Sequence, residues 1–146
     1  MEMRQGSCRL GFWHVHVTWE GNVVHGTRFS PFPLEGAVPL PIRRYCAGLP
    51  EDLTVLGSIA LGEEYPFSEV YRLVRGIPYG ETATYGELGE ILQVSPRLVG
   101  LAMKRNPTPL VIPCHRVVSR NGIGGFSPGP EIKEYLLAME KRGRKK

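Results

Sequence analysis

The 146-residue chain has no apolar run long enough to cross a bilayer as a helix. Its first residues also lack the charged stretch, apolar block and small-residue cleavage site of a secretory leader, so a cytoplasmic protein is expected. Cysteine is scarce. Cys8, Cys46 and Cys114 are too few and too scattered for a disulfide framework, and an odd number leaves at least one unpaired. Reduced thiols are expected, with a Cys8–Cys46 bridge as the alternative. No CxxC or HxxxH spacing is present. His14 and His16 share a strand face and could join Cys8 or Cys46 around a metal, but the commoner reading is a pair of surface histidines. No metal and no other cofactor is expected. Only three Asn, two Gln and one Asp occur beside 13 Pro, a bias seen in heat-adapted proteins. No internal repeat or low-complexity tract is visible.

Charge is present but uneven. Residues 1–94 carry 7 Lys and Arg against 11 Asp and Glu, whereas residues 95–146 carry 11 against 3. A basic segment on an acidic body suits a partner that is a polyanion, although five of those cations lie in the last six residues and could be a solvated tail.

Residues 8–29 read as a β-hairpin. Trp13, Val15, Val17 and Trp19 alternate with polar neighbours, Gly21-Asn22 supplies the turn, and Val23, Val24 and Phe29 carry the return strand. Residues 30–50 hold five prolines and read as an irregular loop. A boundary is expected near residues 62–66. Beyond it, Phe67, Val70, Tyr71 and Val74 recur at helical spacing. Thr84 and Glu87 form a capping box for a second helix, and Ser95-Pro96 caps and starts a third. Two short helices separated by a few residues make a helix-turn-helix, with Arg97 in the leading turn of the second. A cation there opposes the helix dipole, a conflict that contact with DNA would relieve. Asn121-Gly122 between apolar runs predicts a further hairpin, like a wing. A last helix begins at Pro130, with Ile132, Leu136 and Met139 on one stripe. The fold class expected is α+β: a small β-rich N-terminal domain over residues 1–62, then a helical domain over residues 66–146 with a winged helix-turn-helix.

The chemistry centres on Pro113-Cys114-His115-Arg116. A thiol becomes a strong nucleophile when a neighbouring base or cation favours the thiolate, and His115 is the nearest base. Adjacent side chains in extended backbone point apart, so a bent backbone or a bridging water is required. Glu140 falls on the apolar stripe of the last helix, where a carboxylate needs a partner. A histidine partner would complete a Cys114–His115–Glu140 relay with the logic of a triad.

With these residues, the chain resembles the O6-alkylguanine-DNA alkyltransferase family. The resemblance runs from about residue 66 to 140 through Thr84-Tyr85-Gly86-Glu87-Leu88, Arg97-Leu98-Val99-Gly100, Asn106-Pro107 and Ile112-Pro113-Cys114-His115-Arg116-Val117-Val118. It implies irreversible, stoichiometric transfer of the alkyl group from O6-alkylguanine in DNA, with O4-alkylthymine as an alternative, to the sulfur of Cys114. It further implies that His115 acts through water while Glu140 holds the imidazole. Tyr85 would donate to a guanine ring nitrogen, and Asn106 would tie the recognition helix to the active-site turn. Backbone groups of Cys114 and Val117 would hold the guanine edge, Ser127 would contact O6, and Gly125 and Phe126 would line the pocket. Arg97 would fill the stack left by the flipped nucleotide, and Thr84, Ser95, Arg105 and Arg116 would be further DNA contacts. The implied partner is double-stranded DNA with alkylated guanine, bound by a monomer with no membrane and no obligate protein partner. Phe126 and Pro128 depart from the tyrosine and glycine common in the family, and the N-terminal part is short. Three other readings fit the sequence less well. A non-repairing relative would lack the acceptor cysteine, a cysteine hydrolase would need no helix-turn-helix, and a transcription factor would leave Glu140 unexplained.

Overall fold

A computed structural model describes residues 2–144. Strands β1 (Arg4–Leu10), β2 (Trp13–Glu20) and β3 (Val23–Ser30) form an antiparallel meander, and β4 (Gly57–Ser58) joins the edge of β3 in parallel. The hairpin around Gly21-Asn22 is therefore present. The expected first strand is split by a turn at residues 11–12 into β1 and β2, which the alternation in residues 12–19 alone did not disclose. Leu10, Val15, Val17 and Val24 point inward with no solvent exposure.

Residues 31–50 are not all loop. Helix α1 (Leu40–Cys46) lies within them, with Pro41 in its first turn, where a missing N–H costs nothing because that group has no helical acceptor. Its Ile42, Tyr45 and Cys46 are buried. The preceding segment is stitched to β1 through the Ser7 hydroxyl, which donates to the Leu34 carbonyl at 2.6 Å and accepts from its N–H at 2.8 Å.

After two short 3-10 turns come α2 (Ser68–Arg75), β5 (Ala83–Thr84), α3 (Tyr85–Leu92) and α4 (Pro96–Lys104). The capping box forms in both directions. Thr84 Oγ1 accepts from the Glu87 N–H and Glu87 Oε1 accepts from the Thr84 N–H, each at 3.0 Å. Gln93 closes α3 in the left-handed region (φ 60°), and Ser95 caps α4 by accepting from the Leu98 N–H at 3.1 Å. Gly89 lets the two helices meet, since a Cβ there would stand 2.6 Å from the Val94 carbonyl oxygen.

The hairpin expected around Asn121-Gly122 is not a ladder. It reduces to one bridge, Ser119 to Gly122, and the preceding β6 (Val117–Val118) pairs in parallel with β5 instead. The pairing with β5 ties the segment after Cys114 to the start of α3. Helix α5 (Pro130–Arg144) closes the chain. Its Ile132, Leu136 and Met139 share one core cluster with the N-terminal sheet and α1, while a second cluster joins α2, α3, α4 and the segment around Cys114. The first cluster thus spans the boundary expected near residues 62–66. Full burial of a residue such as Leu136 contributes about 1.5–3 kcal/mol, so α5 anchors both halves.

Candidate active site

Asn106 follows α4 and turns the chain back toward its helices. Its Nδ2 donates to the Ile112 carbonyl at 2.8 Å and its Oδ1 accepts from the Thr108 N–H at 2.9 Å. Leu110 within this loop has φ 82°, a left-handed conformation costly for a leucine and held by near-complete burial. The loop delivers Cys114 into a 3-10 turn (Cys114–Arg116). That bend answers the problem of adjacent side chains pointing apart.

Cys114 is 4% exposed, at the edge of a cavity of about 390 Å³ lined also by Tyr85, Met103, Lys104, Gly125, Phe126 and Ser127. Burial pushes its thiol up to about 11, against the opposing pull of the Asn106 side chain and the Lys133 ammonium. At neutral pH the sulfur is protonated and needs a base. The adjacent His115 is fully buried, and burial lowers its pKa despite the carboxylate beside it. Its Nε2 donates to Glu140 Oε2 at 2.6 Å, which assigns the proton to that nitrogen and leaves Nδ1, with no protein partner, as the acceptor.

Glu140 is where the stripe on α5 placed it, buried and fully paired. Besides His115, Arg116 Nε donates to Oε1 at 2.9 Å and Nη2 to Oε2 at 3.0 Å, the Gly80 N–H donates to Oε1 at 2.9 Å, and the Tyr45 hydroxyl donates to Oε2 at 2.5 Å. Burial would raise its pKa, but the bonds and charges of His115 and Arg116 outweigh burial and hold it well below the usual carboxylate range. Arg116 was expected at DNA. It is instead 8% exposed, committed to Glu140 and to the Ile77 carbonyl at 2.7 Å, with Tyr79 stacked 5.7 Å from its guanidinium.

Tyr85 begins α3 with its hydroxyl 3.4 Å from the Gly125 carbonyl. Gly124 (φ 78°) lies against its ring, where a Cβ would come within 2.9 Å. Phe126 packs edge-on against Phe29 of β3 at 6.0 Å, so the N-terminal sheet braces the pocket rim. Ser127 and Gly125 are exposed in the cavity lining, and Val117 is buried in the core cluster that holds Cys114. Arg97 and Ser95 are exposed at the leading end of α4, Arg105 at its trailing end, and Thr84 is half-buried in its cap. Of the residues predicted for the site, Tyr85, Cys114, Gly125, Phe126 and Ser127 line this cavity, His115 and Glu140 pair behind Cys114, and Thr84, Ser95, Arg97 and Arg105 lie on or at the ends of α3 and α4.

Sequence reasoning missed two residues. Lys133 is fully buried, its Nζ donating to the carbonyls of Val117 at 2.7 Å and Gly125 at 3.0 Å, so it joins both sides of the pocket. Burial brings its pKa down to about 8. It lies seven residues before Glu140 on the same stripe of α5, where a cation, like a carboxylate, demands a partner. Tyr45 carried no such signal, because its helix was hidden among prolines. Away from the site, Cys8 and Cys46 are free thiols, and His16 is engaged by the Phe32 carbonyl at 2.7 Å.

Residues 66–142 match the family description "6-O-methylguanine DNA methyltransferase, DNA binding domain". The methylated-DNA–protein-cysteine methyltransferase of Methanocaldococcus jannaschii is 49% identical over 73 residues, covering 50% of this chain and 44% of the relative. That of Saccharolobus solfataricus is 48% identical over 77 residues, covering 52% and 51%. The chain thus spans about half the length of the curated relatives it matches. Structural likeness extends further. The O6-methylguanine-DNA methyltransferase of Pyrococcus kodakaraensis superposes with TM-score 0.70 at 29% identity, covering 95% of this chain and 99% of that one. Mycobacterium tuberculosis OGT in complex with DNA does so at 0.74 and 25% identity, covering 98% and 94%. With more than half of its residues matched to the family's DNA-binding domain, this chain belongs to the 6-O-methylguanine DNA methyltransferase family.

Proposed function

We propose that the chain repairs DNA directly, moving the alkyl group of O6-alkylguanine onto Sγ of Cys114. The observation that carries this reading is a buried cysteine at a cavity edge, followed by a histidine whose far nitrogen is locked to a fully paired carboxylate. His115 Nδ1 takes the thiol proton through a water. The thiolate attacks the alkyl carbon, the bond from that carbon to O6 breaks, and its electron pair leaves with guanine. Tyr85 donates a hydrogen bond to the guanine ring nitrogen as this charge develops, while Ser127 and the backbone at Cys114 and Val117 hold the base. The product is a thioether. It has no carbonyl for water to attack, so each molecule acts once.

A lesion inside a duplex cannot reach a thiol that is 4% exposed, so the base must leave the stack, at a cost of a few kcal/mol. Arg97 and Ser95 at the leading end of α4, Arg105 at its trailing end and Thr84 at the cap of α3 make up the DNA side of this exchange, and Lys104 joins them from the cavity lining. The working unit is a monomer of two domains, residues 1–62 and 66–146, acting in the cytoplasm on double-stranded DNA. No helix among the described residues is long and apolar enough to cross a membrane.

Mass spectrometry after mixing with excess duplex containing O6-methylguanine tests the reading. One methyl per protein is expected, on the peptide holding Cys114 and absent from Cys114→Ser. Tight lesion binding without a mass change would transfer the assignment to a recognition protein. Arg97→Ala should slow repair in duplex DNA by about tenfold or more, the weight of one lost contact of ~1.4 kcal/mol, and spare reaction with the free modified base. Equal loss on both substrates would refute the stacking role.

A further inference from the structure

Tyr45 belongs to α1, on the opposite half of the chain from Cys114, and is fully buried. Its hydroxyl lies 2.5 Å from Glu140 Oε2 and 3.2 Å from His115 Nε2. Oε2 thus accepts from three side chains: Tyr45, His115 and Arg116. We propose that Tyr45 is a positioning residue for the transfer reaction, its hydroxyl sharing Oε2 with His115 and thereby setting how firmly the imidazole holds a proton. This inference rests on the alkyl-transfer reading.

The three donors compete for a single oxygen. Each donor that reaches a carboxylate draws charge from it and weakens the remaining bonds. The base next to Cys114 has two requirements. It must be free of its proton at rest, and it must hold the thiol proton long enough for attack. A carboxylate paired with His115 alone would favour the imidazolium even at rest. With Tyr45 and Arg116 on the same group, Glu140 still orients the ring but supports its charge less.

The other groups facing this centre act in known directions. Arg116 on the Cys114 turn and Lys133 on α5 both oppose a charge on His115, and burial does so most of all. Tyr79, packed on Arg116, and Cys46, next to Tyr45, complete the surroundings. Burial and the Glu140 charge push the Tyr45 phenol well above its ordinary range, so it remains a donor throughout working pH. A phenylalanine would fill the same space, which separates the hydroxyl from the packing.

The test is the NMR titration of the His115 imidazole, beside the pH profile of single-turnover methyl transfer. It compares the natural protein, Tyr45→Phe, and a form with 3-fluorotyrosine at position 45, whose hydroxyl is a stronger donor. Loss of a charge-assisted bond should raise the imidazole midpoint in Tyr45→Phe by about one pH unit, a tenfold gain in proton affinity. The fluorinated form should fall below the natural protein, and the acidic limb of the rate profile should move with each. An unchanged midpoint, or a uniform drop in rate at every pH, would overturn the proposal in favour of mere packing. The titration needs no transfer, so failure of the natural protein to take up methyl would count against the transfer reading and leave the Tyr45 comparison standing.

Discussion

At the scale of single residues the molecule concentrates its polar burial on Glu140. Five donors converge on one carboxylate, two of them from a guanidinium that is nearly out of solvent. Because the folded pKa lies below the unfolded value of about 4.3, the stabilisation this group supplies is complete above that pH. It is lost as pH falls below about 4, where only the unfolded chain binds the proton readily. Glu140→Gln should remove that acid dependence and destabilise the fold by about 3–5 kcal/mol, because Arg116 is left buried and uncompensated. It should also slow methyl transfer by about a hundredfold or more through loss of the base's partner. Urea unfolding of both proteins between pH 3 and pH 7 would reveal the first effect, and parallel acid curves for the two would count against it.

At the scale of elements the two short helices depend on closeness at Gly89. Gly89→Ala would set a methyl group 2.6 Å from the Val94 carbonyl oxygen, which is backbone and cannot swing aside. The expected cost is about 1–3 kcal/mol, with weaker binding to undamaged duplex because α4 is displaced. Thermal unfolding and a fluorescence titration would check both, and a neutral result would mean the turn yields more easily than its packing suggests. This pair of helices was legible in the sequence because its caps are local chemistry. Thr84, Glu87, Ser95 and Pro96 act within four residues of their partners. Glu140 was legible because a carboxylate on an apolar stripe demands a distant partner. The turn after Cys114 misled, since Asn-Gly favours a hairpin only while no other edge competes, and here β5 takes Val117 and Val118. Helix α1 was concealed by prolines that mark loops in most contexts, and with it went Tyr45, whose role depends on a partner 95 residues away. Nothing in local sequence encodes that distance.

At the scale of the whole molecule the charge asymmetry changes meaning once burial is known. Of the cations in residues 95–144, Arg116 and Lys133 are turned inward and unavailable to a polyanion. The exposed cations that remain ahead of α5 are Arg97, Lys104 and Arg105 on or beside α4, of which Lys104 lines the cavity, and Arg120 in the turn after β6. Were Lys104, Arg105 and Arg120 to meet phosphates while Arg97 fills the stack, binding to duplex DNA should weaken with a logarithmic salt slope of about −3, and affinity should fall roughly fortyfold over a fourfold rise in salt. The acidic half, including Glu63, Glu64 and Glu69 ahead of and within α2, would repel the duplex and fix which side approaches it. Replacing Arg105 with alanine should reduce that slope by about one without altering the rate of methyl transfer to Cys114 from the free base. A slope near −8 would mean that the basic end of α5 also engages the backbone, and a slope near zero would remove α4 from the DNA interface altogether.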